Sequence, residues 1–203
     1  MASQERIEHL RRVAAHILSP SQSQRSELTA PSHFRSTAAS DLACILEFNP
    51  AVVSWSSTPP ALNMRAVQHI ADFEMLDDAG TKWMLDAPDR APRISIERLS
   101  ECARRQGYKY RLVHASEIYD GYRLQNILDL MRYRGHSVPL GDRMRILGAL
   151  SENGPLTFAD CLRVIRETQP VAAMASLILQ GILNVEMDDA LLGPETMVRR
   201  IGD

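Results

Sequence analysis

Aromatic residues make up only 5% of this 203-residue chain, so its packing must rest on Leu, Ile, Val, Ala and Met rather than on large rings. Cysteine is scarcer still. Cys44, Cys102 and Cys161 are far apart, each within a helix-like pattern, and an odd, unclustered set implies free thiols with neither a disulfide framework nor a zinc site. The apolar runs all stop well short of the ~20 residues that span a bilayer, and the N-terminus lacks the continuous apolar segment of a secretory signal. A cytoplasmic protein with no membrane partner is the expectation. No Gly-rich phosphate loop, Ser/His/Asp signal or dinucleotide fingerprint stands out. None of His9, His16, His33, His69, His114 and His136 forms a pair with zinc-like spacing. A net charge of -2 does not by itself advertise nucleic-acid binding.

What is present, with 45% of residues hydrophobic, suffices to bury one substantial α/β core and a smaller second domain. The most informative stretch runs from His69-Ile70-Ala71-Asp72-Phe73 through Asp77-Asp78-Ala79-Gly80-Thr81 to Trp83-Met84-Leu85-Asp86-Ala87-Pro88. An acidic residue ends one apolar segment, a Gly-containing turn reverses the chain, and a second acidic residue closes an apolar run with alternate side chains on one face. That geometry draws two carboxylates together. Magnesium is held by one or two carboxylates plus substrate phosphate oxygens, and once bound it activates water and neutralises a leaving group. His69, three residues before Asp72, is read as a partly exposed strand histidine in preference to a metal neighbour.

The order of elements around the hairpin resembles the TnsA family of transposon end-cleaving endonucleases, within the PD-(D/E)xK nucleases. Ser40-Asp41-Leu42-Ala43-Cys44-Ile45-Leu46-Glu47 through Val52-Val53 is similar to that family's first core helix and following strand, and Thr58-Pro59 stands where Gln-Pro is usual. Ile96-Glu97-Arg98-Leu99 through Gln106-Gly107 reads as a helix leading into the strand Tyr110-Arg111-Leu112-Val113. Tyr122 to Tyr133 is similar to the helix that carries an Asn in these proteins. The resemblance implies a restriction-endonuclease-like core, a mixed sheet flanked by helices, over residues 25–138. A helix and linker precede it at 1–24, and a winged-helix-like domain follows at 139–203.

Carried over residue by residue, the active site is incomplete. Asp72 and Asp86 correspond to the family's two metal-binding, catalytic acids, but Arg35 or Ala39 falls where a helix glutamate belongs, and Pro88 replaces the lysine that positions the attacking water. Proline has neither the charge nor an N–H to substitute. Lys82 shares a strand face with Asp86 yet lies roughly 13 Å away along it. Arg90, beyond the proline, would serve as a phosphate clamp rather than a base, because guanidinium hardly ever deprotonates. The expectation is a nuclease fold with little or no cleavage activity, requiring Mg if active.

Charge is unevenly placed. Between Arg98 and Arg145 stand ten basic residues (Arg98, Arg104, Arg105, Lys109, Arg111, Arg123, Arg132, Arg134, Arg143, Arg145) against five acidic ones. Arg90, Arg104, Arg105, Lys109 and Arg111 are the expected DNA contacts, arginine being suited to bidentate phosphate bonds. A solvated surface explains the same count, since the chain has two lysines against twenty-one arginines.

At the N-terminus, Ile7, Leu10, Val13, Ala14, Ile17 and Leu18 follow helical spacing before the breaker Ser19-Pro20. At the C-terminus, helices are expected over 143–152, from the Thr157/Asp160 cap to about Arg166, and over 171–180, with a strand at 183–187. That is the order of a winged helix, but the third helix has no Lys or Arg between Pro170 and Gln180 to meet a major groove. Protein contact is the better expectation for it, with a transposase or other partner, a second copy, or its own nuclease-like domain. Three functions remain open: a non-cleaving TnsA-like protein binding DNA and a partner, a magnesium endonuclease with a rearranged site, and a regulator using the fold as a scaffold.

Overall fold

The structure, a computed structural model, describes residues 34–64 and 67–201, so the helix and linker expected over residues 1–24 lie outside it. Two compact units divide the chain between Ile118 and Tyr119. The division lies upstream of the boundary expected at 138/139.

In the first unit, helix α1 (Thr37–Glu47) starts where the Ser36 hydroxyl accepts the Ala39 N–H at 3.1 Å, and it buries Ala39, Leu42, Ala43, Ile45 and Leu46. Next come strands β1 (Val52–Ser56), β2 (Leu62–Met64), β3 (Val67–His69), β4 (Phe73–Asp77) and β5 (Lys82–Asp86). Helix α2 (Ile96–Arg105), strand β6 (Lys109–Leu112) and a short helix α3 (Ala115–Tyr119) follow. Four strands form one mixed sheet in the order β1-β4-β5-β6, antiparallel except for the β5/β6 pair, which α2 connects. Helices flank this sheet. On one face Met84 and Tyr110 pack with Leu99 and Ala103 of α2.

Two local devices set the register that matters for the site. Between β4 and β5 the Asp77 carboxylate accepts the Thr81 N–H at 2.6 Å and the Trp83 indole N–H at 2.8 Å, while Gly80 takes a φ of 78° that favours glycine. Strands β2 and β3 form a separate hairpin that sequence periodicity did not announce, pairing Leu62 with His69. Leu62 is fully buried in the α2-facing core, so the hairpin turns His69 inward as well.

The second unit holds α4 (Arg123–Met131), α5 (Leu140–Asn153), β7 (Leu156–Thr157), α6 (Phe158–Val164), α7 (Pro170–Leu179), β8 (Leu183–Val185) and β9 (Met197–Arg200). The strands make an antiparallel sheet in the order β7-β9-β8. Thr157 caps α6 by accepting the Asp160 N–H at 3.1 Å, and Pro170 opens α7, as their sequence positions imply. Every residue from Ala172 to Ile178 is buried, and α4 packs on this helix. Helix α4, expected with the nuclease-like domain, thus falls in the second unit, where Leu130 joins the core built by α7 and Asn126 bonds to the β8–β9 loop. The fully buried Asp142 accepts the Arg166 and Glu167 N–H groups at 2.8 and 2.9 Å, pinning the α6–α7 turn to α5. Among the described residues no helix is long and apolar enough to cross a membrane.

Candidate functional site

Asp72 immediately precedes β4 and Asp86 ends β5. With Phe73 opposite Leu85, the next pair outward is Asp72 and Asp86, so their side chains share one end and one face of the sheet. They are tied directly. The Asp72 N–H donates to Asp86 Oδ1 at 3.1 Å, and the Ala87 N–H donates to Asp72 Oδ2 at 2.9 Å. Asp86 is fully buried and the Asp72 side chain is 6% exposed.

The cationic groups that meet these acids are guanidinium groups. Arg35, the residue before the α1 cap, lays its fork on Asp72, Nε to Oδ1 at 3.0 Å and Nη2 to Oδ2 at 3.1 Å, and extends to Asp89 at 2.7 Å. Arg90 donates from Nη1 to Asp72 Oδ1 at 3.3 Å and from Nη2 to the Ile70 carbonyl at 2.9 Å, with Nε 3.9 Å from Asp86 Oδ1. Arg90 is therefore not the outward phosphate clamp expected from the sequence. The cause is Pro88, which stands second in a turn closed by the Arg90 N–H on the Ala87 carbonyl at 2.9 Å. Proline presets the φ such a turn needs, and the turn folds Asp89 and Arg90 back over the strand end.

The other oxygen of Asp86 is also occupied. The Tyr110 hydroxyl donates to Oδ2 at 2.6 Å, and His69 Nε2 lies 2.7 Å from the same atom. An ionised carboxylate only accepts, which assigns the Nε2 hydrogen to His69. The expected partly exposed histidine is thus a buried one, 7% exposed, because the β2–β3 hairpin faces it toward Asp86. Burial pushes the Asp86 carboxyl up, but the bonds from His69 and Tyr110 and the charge of Arg90 outweigh it and hold the group below its ordinary 3.8. Burial, then Asp86, pushes the Tyr110 phenol up. Asp89 is held low by Arg35 against the effect of burial, while Asp72 raises Arg35.

These residues do not fit a magnesium ion as they stand. A divalent cation needs carboxylate lone pairs, and those of Asp72 and Asp86 already accept from Arg35, Arg90, Ala87, His69, Tyr110 and the Asp72 amide. Among the described residues no group of three or more His, Cys, Asp or Glu could hold a metal. Lys82 lies at the far end of β5, its ammonium 5.9 Å from the centre of the Tyr108 ring.

The remaining expected DNA contacts lie on α2 and β6. Arg104 and Arg105 close α2, and Arg105 is paired with Glu101 at 2.6 Å. Lys109 and Arg111 lie on the edge strand β6, their cations 5.1 and 5.8 Å from the centre of a Trp83 ring, with Arg111 paired to Glu117 at 2.8 Å. Among the described residues Arg104 and Lys109 have no ion pair, and both are exposed.

In the second unit, Asn126 is structural. Its Nδ2 donates to the Met187 and Ala190 carbonyls at 2.9 and 2.8 Å, and its Oδ1 accepts the Leu192 N–H at 2.9 Å. Arg123 forks onto Asp188 with both bonds at 2.6 Å. The loop between β8 and β9 is thereby strapped to α4. Beside it lies an apolar cavity of about 540 Å³ lined by Leu130, Tyr133, Phe158, Leu162, Val171 and Leu191, among others.

Sequence reasoning missed Asp89 and Tyr110 and saw Arg35 only as the wrong residue at an acid's position. The available signal was the sign reversal at that position, which would neutralise Asp72 from the same direction. No protein-family model matches this sequence, and no curated protein does.

Proposed function

We propose that the first unit is a restriction-endonuclease-like core of TnsA type in which guanidinium groups stand where a nuclease holds its cation, and that the protein acts by binding rather than by cutting. The observation that carries this reading is the double engagement of Asp72 by Arg35 and Arg90. It gives each of the two facing, buried carboxylates a fixed positive or hydrogen-bonding partner. The order helix, three antiparallel strands, helix, parallel strand supports the nuclease-like assignment. Pro88 stands where the lysine would, and the chain's two lysines, Lys82 and Lys109, lie at the other end of their strands, so among the described residues no amine is placed to position an attacking water.

The second unit follows the order of a winged helix, yet α7 is buried and the β8–β9 loop is strapped to α4. The two elements such a module would offer to DNA are consumed by internal packing. Its role is protein contact, with a transposition partner or a second copy, in a mobile-element setting. Direct DNA affinity rests on Arg104 and Lys109 and is weak.

The test uses the whole chain with supercoiled plasmid and either Mg²⁺ or Mn²⁺. No nicking above background is expected, and Asp72→Ala should match the unaltered protein. Calorimetric titration with Mn²⁺ should show no binding until Arg35→Ala and Arg90→Ala are combined. With two phosphate contacts, log affinity for duplex should fall against log salt with a slope of about -2. Metal-dependent nicking lost in Asp72→Ala would refute the proposal and restore the endonuclease reading.

A further inference from the structure

Of the two edges of the four-stranded sheet, one is blunted and one is open. Strand β1 carries a register shift between Val52 and Ser54, an irregularity that spoils an edge for further pairing. Strand β6 runs in regular register along β5 from Lys109 to Leu112. Because the Val113 N–H donates to the Asp86 carbonyl at 2.9 Å, the alternation of a parallel ladder turns the backbone groups of Lys109 and Arg111 toward β5 and those of Tyr110 and Leu112 to the open side. Among the described residues nothing pairs with those two N–H groups or those two carbonyls. An edge in that condition is a template for one more strand.

The side chains specify which strand. Lys109 and Arg111 lie on one face, both exposed, their cations held 5.1 and 5.8 Å from the centre of a Trp83 ring. Among the described residues Lys109 has no ion pair, and Arg111 gives Glu117 only Nη1, at 2.8 Å, keeping Nε and Nη2 for another acceptor. On the opposite face Tyr110 is buried and Leu112 half-buried. In an antiparallel addition Tyr110 and Leu112 become the hydrogen-bonded pairs, and Lys109 and Arg111 the closer, non-hydrogen-bonded ones where cross-strand side chains meet most directly. Acidic residues two apart in the incoming strand then face both cations, and an apolar residue between them lies beside Tyr110. A second copy of β6 does not fit. Every antiparallel register that keeps the faces matched sets Lys109 or Arg111 opposite another cation, and like charges so placed repel.

We infer that β6 is a docking edge for an extended acidic segment of a partner protein, added antiparallel with Asp or Glu at alternate positions against Lys109 and Arg111. The inference does not rest on the nuclease-like reading of this unit. A few main-chain bonds and two ion pairs make a weak contact that salt weakens further.

The test uses the full chain and a blocked ten-residue peptide alternating valine and glutamate, labelled at one end. Anisotropy titration should show saturable binding that declines as salt rises, and the same peptide with lysine for glutamate should not bind. Lys109→Glu combined with Arg111→Glu should lower affinity for the acidic peptide roughly tenfold and bring binding of the lysine peptide instead, a reversal that misfolding cannot produce. The Leu112 N–H points away from β5, so Leu112→Pro should leave the melting temperature little changed while weakening the peptide complex. Amide exchange at Tyr110 and Leu112 of the unaltered chain should slow when the acidic peptide is bound, which a purely electrostatic contact does not produce. Equal binding of the two peptides, binding without slowed exchange at those two amides, or their protection by duplex DNA in place of the acidic peptide would overturn the inference.

Discussion

Replacing Asp86 with alanine should destabilise the first unit, and the sign of that effect separates two views of the carboxylate pair. If Asp72 and Asp86 were an empty cation site held together against mutual repulsion, neutralising one of them would stabilise the fold. Here Asp86 is fully buried and accepts from Tyr110 at 2.6 Å, His69 at 2.7 Å and the Asp72 amide at 3.1 Å. Alanine strands those donors away from water, and Arg90 loses a neighbouring charge. Leaving a buried donor unpaired costs about 1–3 kcal/mol, and breaking a buried ion pair from one side costs about 3–5 kcal/mol. About 4 kcal/mol is the expected loss, which lowers the melting temperature by roughly 8–16 °C at about 2–4 °C per kcal/mol. Asp86→Asn should lose only about 1–2 kcal/mol, because its oxygen can still accept the Asp72 amide while its amide donates to the Tyr110 oxygen and to His69 Nε2 once the histidine takes its other tautomer. Urea unfolding followed by tryptophan fluorescence reads this unit selectively, since Trp55 and Trp83 are the chain's two tryptophans and both lie within it. An alanine variant as stable as the unaltered protein, or more so, would refute the reasoning.

Two further outcomes follow from the same contacts. Because Asp86 and Asp89 are held below their ordinary 3.8, each contributes stability that is fully present above that value and is lost as the pH falls through the lower, folded-state value. Fluorescence of the first unit should therefore stay native through mild acid and change only below about pH 3.8. In the second unit Asn126→Ala removes three hydrogen bonds from a buried side chain and should cost about 2–3 kcal/mol. Amide exchange at Leu192 should accelerate while tryptophan fluorescence in native buffer is unchanged.

The convergence of Asp72 and Asp86 was legible in the sequence because a single turn containing Gly80 joins the two apolar runs, leaving little freedom of register. The lack of Lys and Arg in α7 was legible too, although its burial was not: an apolar helix looks the same whether a partner or its own chain covers it. Arg35 was out of reach because it meets Asp72 across 37 positions of sequence, and its aim depends on how α1 lies on the sheet. His69 was misread for a different reason. Strands of three residues such as β2 and β3 carry too little alternation to reveal which side faces inward, and the long-range bond to Asp86 decides the matter.

The turn at Ala87–Arg90 makes any route to metal chemistry at Asp72 and Asp86 epistatic. Lysine at 88 would supply an amine but would also slacken the bend that delivers Asp89 and Arg90, and Arg35 would still hold Asp72. Changing either arginine alone leaves the other in place beside the same acid. Freeing these acids for a cation would therefore demand concerted change at positions 35, 88 and 90, so that one proline limits what the pair can bind.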